Sequence, residues 1–158
     1  MKPILVIFNG IQFPYYLMEY SLVLAWKQGL ALHALFLTAR REISETYAFP
    51  NDMELVEKAF ISENLDKENS RIIKDRMKIA SDMAIFEEVE CTTEHITNCS
   101  LHQISGIITG YDQVFVDVKY DNENSSMLCN TAFSLAELMA LAPAKIKQVS
   151  AELEIPLK

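Results

Sequence analysis

The stretch Ile4–Tyr16, ILVIFNGIQFPYY, decides the fold. Ile4 to Phe8 is a continuous apolar run rich in β-branched residues, the composition of a strand buried on both faces; a half-exposed strand would alternate with polar residues. Asn9-Gly10 breaks the run. Pro14 suits the first turn of a helix, where its missing N–H is not needed. From Tyr15 to Gln28, Leu17 and Leu24, with Met18, Leu22 and Ala25, recur at helical spacing. Gly29 then stands where a helix end favours a left-handed residue. Leu30 to Ala39 reads as a second apolar strand, ended by Arg40-Arg41. Strand, loop, helix, glycine and strand in this order open a parallel sheet with right-handed crossovers.

Beyond this unit, residues 43–51 read as a loop closed by Pro50, with Asn51 or Asp52 capping a long helical region that runs to about Asp82. Its polar middle, SENLDKENSR at 62–71, is either a break or a solvated face. Ala84 to Cys91 reads as a third strand, at a sheet edge because Glu87, Glu88 and Glu90 protect it from pairing. Thr93 to Ile108 is helical by pattern, and YDQVFVDV, Tyr111–Val118, is a fourth strand. Leu128, Ala132, Leu135, Met139 and Ala142 mark a last helix, and Ala144–Ala151 a last edge strand. Alternating strands and helices imply an α/β fold with helices on both faces of one sheet.

Composition narrows the partners. With 158 residues the chain is expected to be one domain, 1–158, large enough for a single core. The net charge of −8 disfavours nucleic acid and anionic membrane surfaces. No apolar run approaches the roughly 20 residues of a spanning helix, and Ile4–Phe8 is too short for a signal sequence. Cys91, Cys99 and Cys129 have no disulfide-framework spacing, so the expected compartment is the reducing cytoplasm.

The spacing from Asn9-Gly10-Ile11 to Gly29 resembles the universal stress protein family, α/β domains of the adenine-nucleotide-binding superfamily. That family opens with a strand ending in an Asp-Gly-Ser-like triplet, then a helix with small residues every four positions. Here Leu17, Ser21 and Ala25 fall at those positions. Asp112 with Gln113-Val114-Phe115-Val116 looks like the family's Asp-Leu-Ile-Val strand, and LAPAKIKQV, with Pro143, like its closing segment. The resemblance covers the whole chain. It implies a three-layer α/β/α sandwich around a five-stranded, mainly parallel sheet of order 3-2-1-4-5. It also implies a stress-response or signalling role and a homodimer paired through the last strand.

The family's ATP-binding branch carries a Gly-rich loop after strand four, where backbone N–H groups approach phosphates. This chain departs from it, since the last of its four glycines is Gly110. The corresponding stretch, KYDNENSSMLCNTAF, brings Asp121 and Glu123 where a triphosphate would bring like charge. ATP is therefore not the expected cofactor, and the expected role is non-enzymatic, through protein contacts. Ser125 and Ser126 suit a helix cap or an anion contact. Asn9 can donate and accept, leaving open a base or ribose contact beside the plain reading of Asn9-Gly10 as a turn. With strand order 3-2-1-4-5, Asn9, Gly10, Ile11 and Asp117, with Ser125 and Ser126, flank the topological switch point where open α/β sheets hold ligands. The alternative function is thus a sensor for a nucleoside or AMP-like molecule.

Other constellations carry less. On a helix from Thr93, His95 and His102 would lie about 10 Å apart along the axis, too far for one metal ion; with Cys91 and Cys99 they read as a solvated face. His33, between Leu32 and Ala34, reads as a satisfied core histidine. Phe13, Tyr15, Tyr16, Tyr20 and Trp26 are either helix core or a partner surface. No nucleophile elbow, Ser/His/Asp order or phosphate loop occurs.

Overall fold

A computed structural model describes residues 2–10, 12–39, 53–121 and 133–153, and for 53–66 the backbone alone. Five strands, β1 (Ile4–Asn9), β2 (Leu32–Thr38), β3 (Cys91–Thr97), β4 (Val114–Asp117) and β5 (Ile146–Val149), form one sheet of order β3-β2-β1-β4-β5. Every pairing is parallel: Ile4 stands opposite Leu32, Leu5 opposite Val114, Leu32 opposite Cys91 and Val114 opposite Ile146. Among the described residues four helices, α1 (Tyr15–Gln28), α2 (Met53–Phe86), α3 (Leu101–Ile108) and α4 (Leu135–Leu141), alternate with the strands. This is the expected α/β/α sandwich with the expected strand order. No helix among the described residues is long and apolar enough to cross a membrane.

Strand alternation divides the core in two. Ile4, Val6, Phe8, Leu32, Ala34 and Phe36 meet Leu17, Met18 and Leu22 of α1 and Ile73 and Ala80 of α2. Leu5, Ile7, Leu35, Leu37, Val114 and Val116 meet Ile104 and Ile108 of α3 and Leu138 of α4. Being covered on both faces, β1 is apolar at every position from Ile4 to Phe8. Ser21 fits the crowded α1–sheet contact because its hydroxyl donates back to the Leu17 carbonyl at 2.7 Å.

The boundaries around the third strand differ most from the sequence reading. Residues 84–86 close α2 instead of opening a strand, since Ala80 and Ala84 continue its buried stripe. Glu88 then adopts φ 59°, its N–H donates to the Ile85 carbonyl (3.1 Å), and the Val89 N–H reaches the Ala84 carbonyl (2.9 Å). That is a Schellman end built on glutamate. Gly29 ends α1 in the same way at φ 68°, with bonds to Trp26 and Ala25. The polar middle at 62–71 lies within a continuous α2.

The third strand therefore falls on Cys91–Thr97, inside the segment expected to be helical. Thr92, Thr93, Ile96 and Thr97 are β-branched and favour an extended chain. Asn98 at φ 57° turns the chain, and Ser100 caps α3 by accepting from the Gln103 N–H at 3.1 Å. His95 thus lies on an edge strand while His102 lies on α3, and the shared helical face expected for them does not exist. Among the described residues no group of three or more His, Cys, Asp or Glu is arranged around a metal position. The described part of the last helix starts at Ser134, where Ser134 and Glu137 form a capping box. Leu128 and Ala132 lie outside the described residues.

Candidate functional site

β1 leads into α1 on one face of the sheet, whereas α4, the helix between β4 and β5, packs on the other. The C-terminal ends of β1 and β4 therefore flank the topological switch point. Asn9 and Gly10 arrive there from β1, and Asp117 from β4. Ile11, Ser125 and Ser126 lie outside the described residues.

The polar groups at this point bond to one another. The Asn9 side-chain amide donates to the Tyr120 carbonyl at 2.7 Å. The Gly10 N–H donates to the Leu37 carbonyl at 2.7 Å, and φ of 72° puts Gly10 where a side chain is disfavoured. Asp117 is nearly buried. Its carboxylate accepts from the Tyr16 hydroxyl, on the first turn of α1, and from the Lys119 N–H at 3.1 Å. The second bond is a local turn of the kind aspartate favours two residues on. Burial, then the hydrogen bond to Asp117 and its negative charge, push the Tyr16 phenol well above the usual tyrosine range. Tyr16 is held as a neutral donor.

These contacts leave little room. The crevice lined by Asn9, Gln12, Pro14, Leu17, Asp117, Lys119 and Tyr120 holds a cavity of about 10 Å³. That suffices for about one water molecule, against roughly 300–1,000 Å³ for pockets that enclose small ligands. Behind it, Phe8 stacks on Phe13 and Phe36 at centroid distances of 4.9 and 4.8 Å, and Tyr120 stacks on Phe133 at 6.1 Å. Phe8 and Tyr120 thus line the crevice while anchored in the aromatic packing of the two core layers. Phe13, Tyr16 and Tyr20 belong to core or crevice, while Tyr15 and Trp26 are exposed. His33 is bonded, its Nδ1 lying 2.6 Å from the Tyr111 hydroxyl.

The strand order, the all-parallel register and the overall path match solved universal stress proteins over nearly the whole chain. The chain has the universal stress protein fold. A family member from Burkholderia pseudomallei superposes with a TM-score of 0.57 at 14% identity, covering 94% of this chain and 95% of its own. The protein from Archaeoglobus fulgidus gives 0.57 at 9% identity, over 92% and 91%. A universal stress protein in complex with cAMP gives 0.54 at 9% identity, over 94% and 96%. No family model matches the sequence, and no curated protein does.

Tyr16, Lys119 and Tyr120 were not among the expected site residues. Tyr120 enters through a backbone carbonyl and an aromatic ring, which no motif encodes. Tyr16 has only a partial cue, since Tyr15 and Tyr16 both stand in the first turn of α1 and only Tyr16 turns toward the end of β4.

Proposed function

We propose that the chain is a non-enzymatic cytoplasmic module of the universal stress protein fold that acts through protein contacts rather than by holding a triphosphate. The observation that carries this reading is the closure of the switch-point crevice by Tyr16 on Asp117 and Asn9 on Tyr120. The sequence supports it too, because no glycine follows Gly110 to bring backbone donors close to phosphates. The Asp117 carboxylate would also repel an incoming phosphate.

The contact surface we favour is the outer edge of β5. Among the described residues β5 pairs with β4 alone, and its other edge offers backbone donors and acceptors to a second copy of the chain. Light scattering at micromolar concentration is expected to give a dimer, and Gln148→Pro, which removes a donor from the exposed strand, a monomer. A monomeric native chain overturns the pairing.

A rival reading rests on the neighbour solved with cAMP: a nucleoside or AMP-like ligand enters the Asn9 crevice after Tyr16 leaves Asp117. Thermal unfolding with adenosine, AMP, cAMP and ATP separates the two, because a ligand that binds only the native state raises the midpoint. No rise at millimolar ligand supports the contact module; a rise with AMP or cAMP supports the sensor.

A further inference from the structure

On the face of the sheet that carries α1 and α2, a cavity of about 580 Å³ opens between α2 and the C-terminal ends of β2 and β3. Among the described residues it shares no lining residue with the switch-point crevice. Its size falls within the roughly 300–1,000 Å³ of small-molecule sites. We propose that this cavity binds a small polyanion bearing phosphate or carboxylate groups, at a site independent of the one between Asn9 and Asp117.

Lys67, Arg71 and Lys74 line the cavity, spaced i, i+4 and i+7, so one stripe of α2 presents three cations to the same space. Among the described lining residues none is Asp or Glu, in a chain whose net charge is −8. A local positive concavity in an otherwise acidic protein focuses its field on anions and discriminates against cations. Arg71 also pairs with Glu68, the residue one turn earlier, through one guanidinium nitrogen. The guanidinium has five N–H donors, so others are left for a ligand oxygen.

The opposite wall supplies neutral polar groups from the two strands. His95 Nε2 lies 2.7 Å from Thr38 Oγ1, tying the ends of β3 and β2 together. Burial holds the His95 imidazole below its usual range, so its ring is a neutral wall near pH 7 and the positive charge comes from α2. Thr97 completes this side, and the buried Ile73 side chain gives an apolar floor. Cations on one wall, hydroxyls and a neutral imidazole on the other, and an apolar floor suit an anion of two or three charges on a short carbon or phosphate frame.

The test is a nitrogen-labelled amide NMR titration of the full chain with inorganic pyrophosphate, citrate and AMP at constant ionic strength. Pyrophosphate or citrate is expected to shift the amides of Thr38, Arg71, His95 and Thr97 saturably, and which of the two binds tighter tells phosphate from carboxylate. The exposed pair Arg71→Ala/Lys74→Ala is expected to weaken binding by about tenfold or more, while Arg71→Lys/Lys74→Arg retains it. Unchanged affinity in the alanine pair, shifts confined to Asn9 and Lys119, or no saturable shift with any probe would each overturn the proposal.

Discussion

The Tyr16 hydroxyl donates to the Asp117 carboxylate across 101 residues of sequence, joining the first turn of α1 to the end of β4. This bond stands at the place where an open α/β sheet usually receives its ligand. Asp117 is nearly buried, and it also accepts from the Lys119 N–H. The chain thus supplies from its own first helix a partner that solvent or ligand would otherwise provide.

Tyr16→Phe removes that donor and keeps the ring. Hydrogen bonds to charged groups contribute roughly 1.5–3 kcal/mol, but Tyr16 is half-buried, so a loss near the lower end, about 1–2 kcal/mol, is expected in urea denaturation. A variant as stable as the native chain would mean that water replaces the phenol without cost.

The same bond sets a pH dependence. In the folded chain Tyr16 keeps its proton above the ordinary tyrosine value of 10.0, whereas the unfolded chain releases it there. Above that value the folded state binds more protons than the unfolded, so Tyr16's contribution to stability is complete below pH 10 and falls as pH rises further. Stability measured across this alkaline range is expected to fall less steeply in Tyr16→Phe than in the native chain. Parallel curves would contradict the assignment.

Two helix ends make opposite predictions. Gly29 has φ 68° and open space where a Cβ would stand, so Gly29→Ala is penalised by backbone conformation alone, about 1 kcal/mol. Glu88 has φ 59° with a side chain already there, so Glu88→Gly is expected to raise stability by up to about 1 kcal/mol. Thermal unfolding of the two variants should move the midpoint in opposite directions.

The core prediction is larger. Phe8 is 1% exposed and packs against both Phe13 and Phe36, which also contact each other. Truncating such a ring costs about 3–5 kcal/mol, and Phe8→Ala should lose that much in denaturant unfolding. A loss below about 1 kcal/mol would mean that the aromatic cluster behind the crevice collapses to refill the space.

The parts of the fold legible in the sequence are those whose burial is symmetrical. β1 and β4 are covered on both faces, so their apolar runs stand out, and Gly29 marks the end of α1. β3 was hidden because it is an edge strand with threonine, glutamate and histidine along it, and because the turn before it is built on Glu88 rather than glycine. At the site, Asn9, Gly10 and Asp117 follow from topology, since any chain of this strand order brings those strand ends together. Tyr16 does not, because adjacent tyrosines at 15 and 16 leave the rotation of α1 open. Packing resolves it: Tyr15 is 51% exposed, while Tyr16 reaches Asp117.

Tyr16 on Asp117 and Asn9 on Tyr120 close the crevice between β1 and β4 with the chain's own side chains. The most direct measurement follows the Asn9 side-chain amide and the Lys119 backbone amide by nitrogen-labelled NMR while AMP, and separately ATP with magnesium, is added to millimolar concentration. The Asn9 amide is bonded to the Tyr120 carbonyl and the Lys119 amide to Asp117, so both signals should hold their positions throughout. Saturable movement of both with either nucleotide would mean that Tyr16 yields its place on Asp117 to a ligand and that the crevice is not closed.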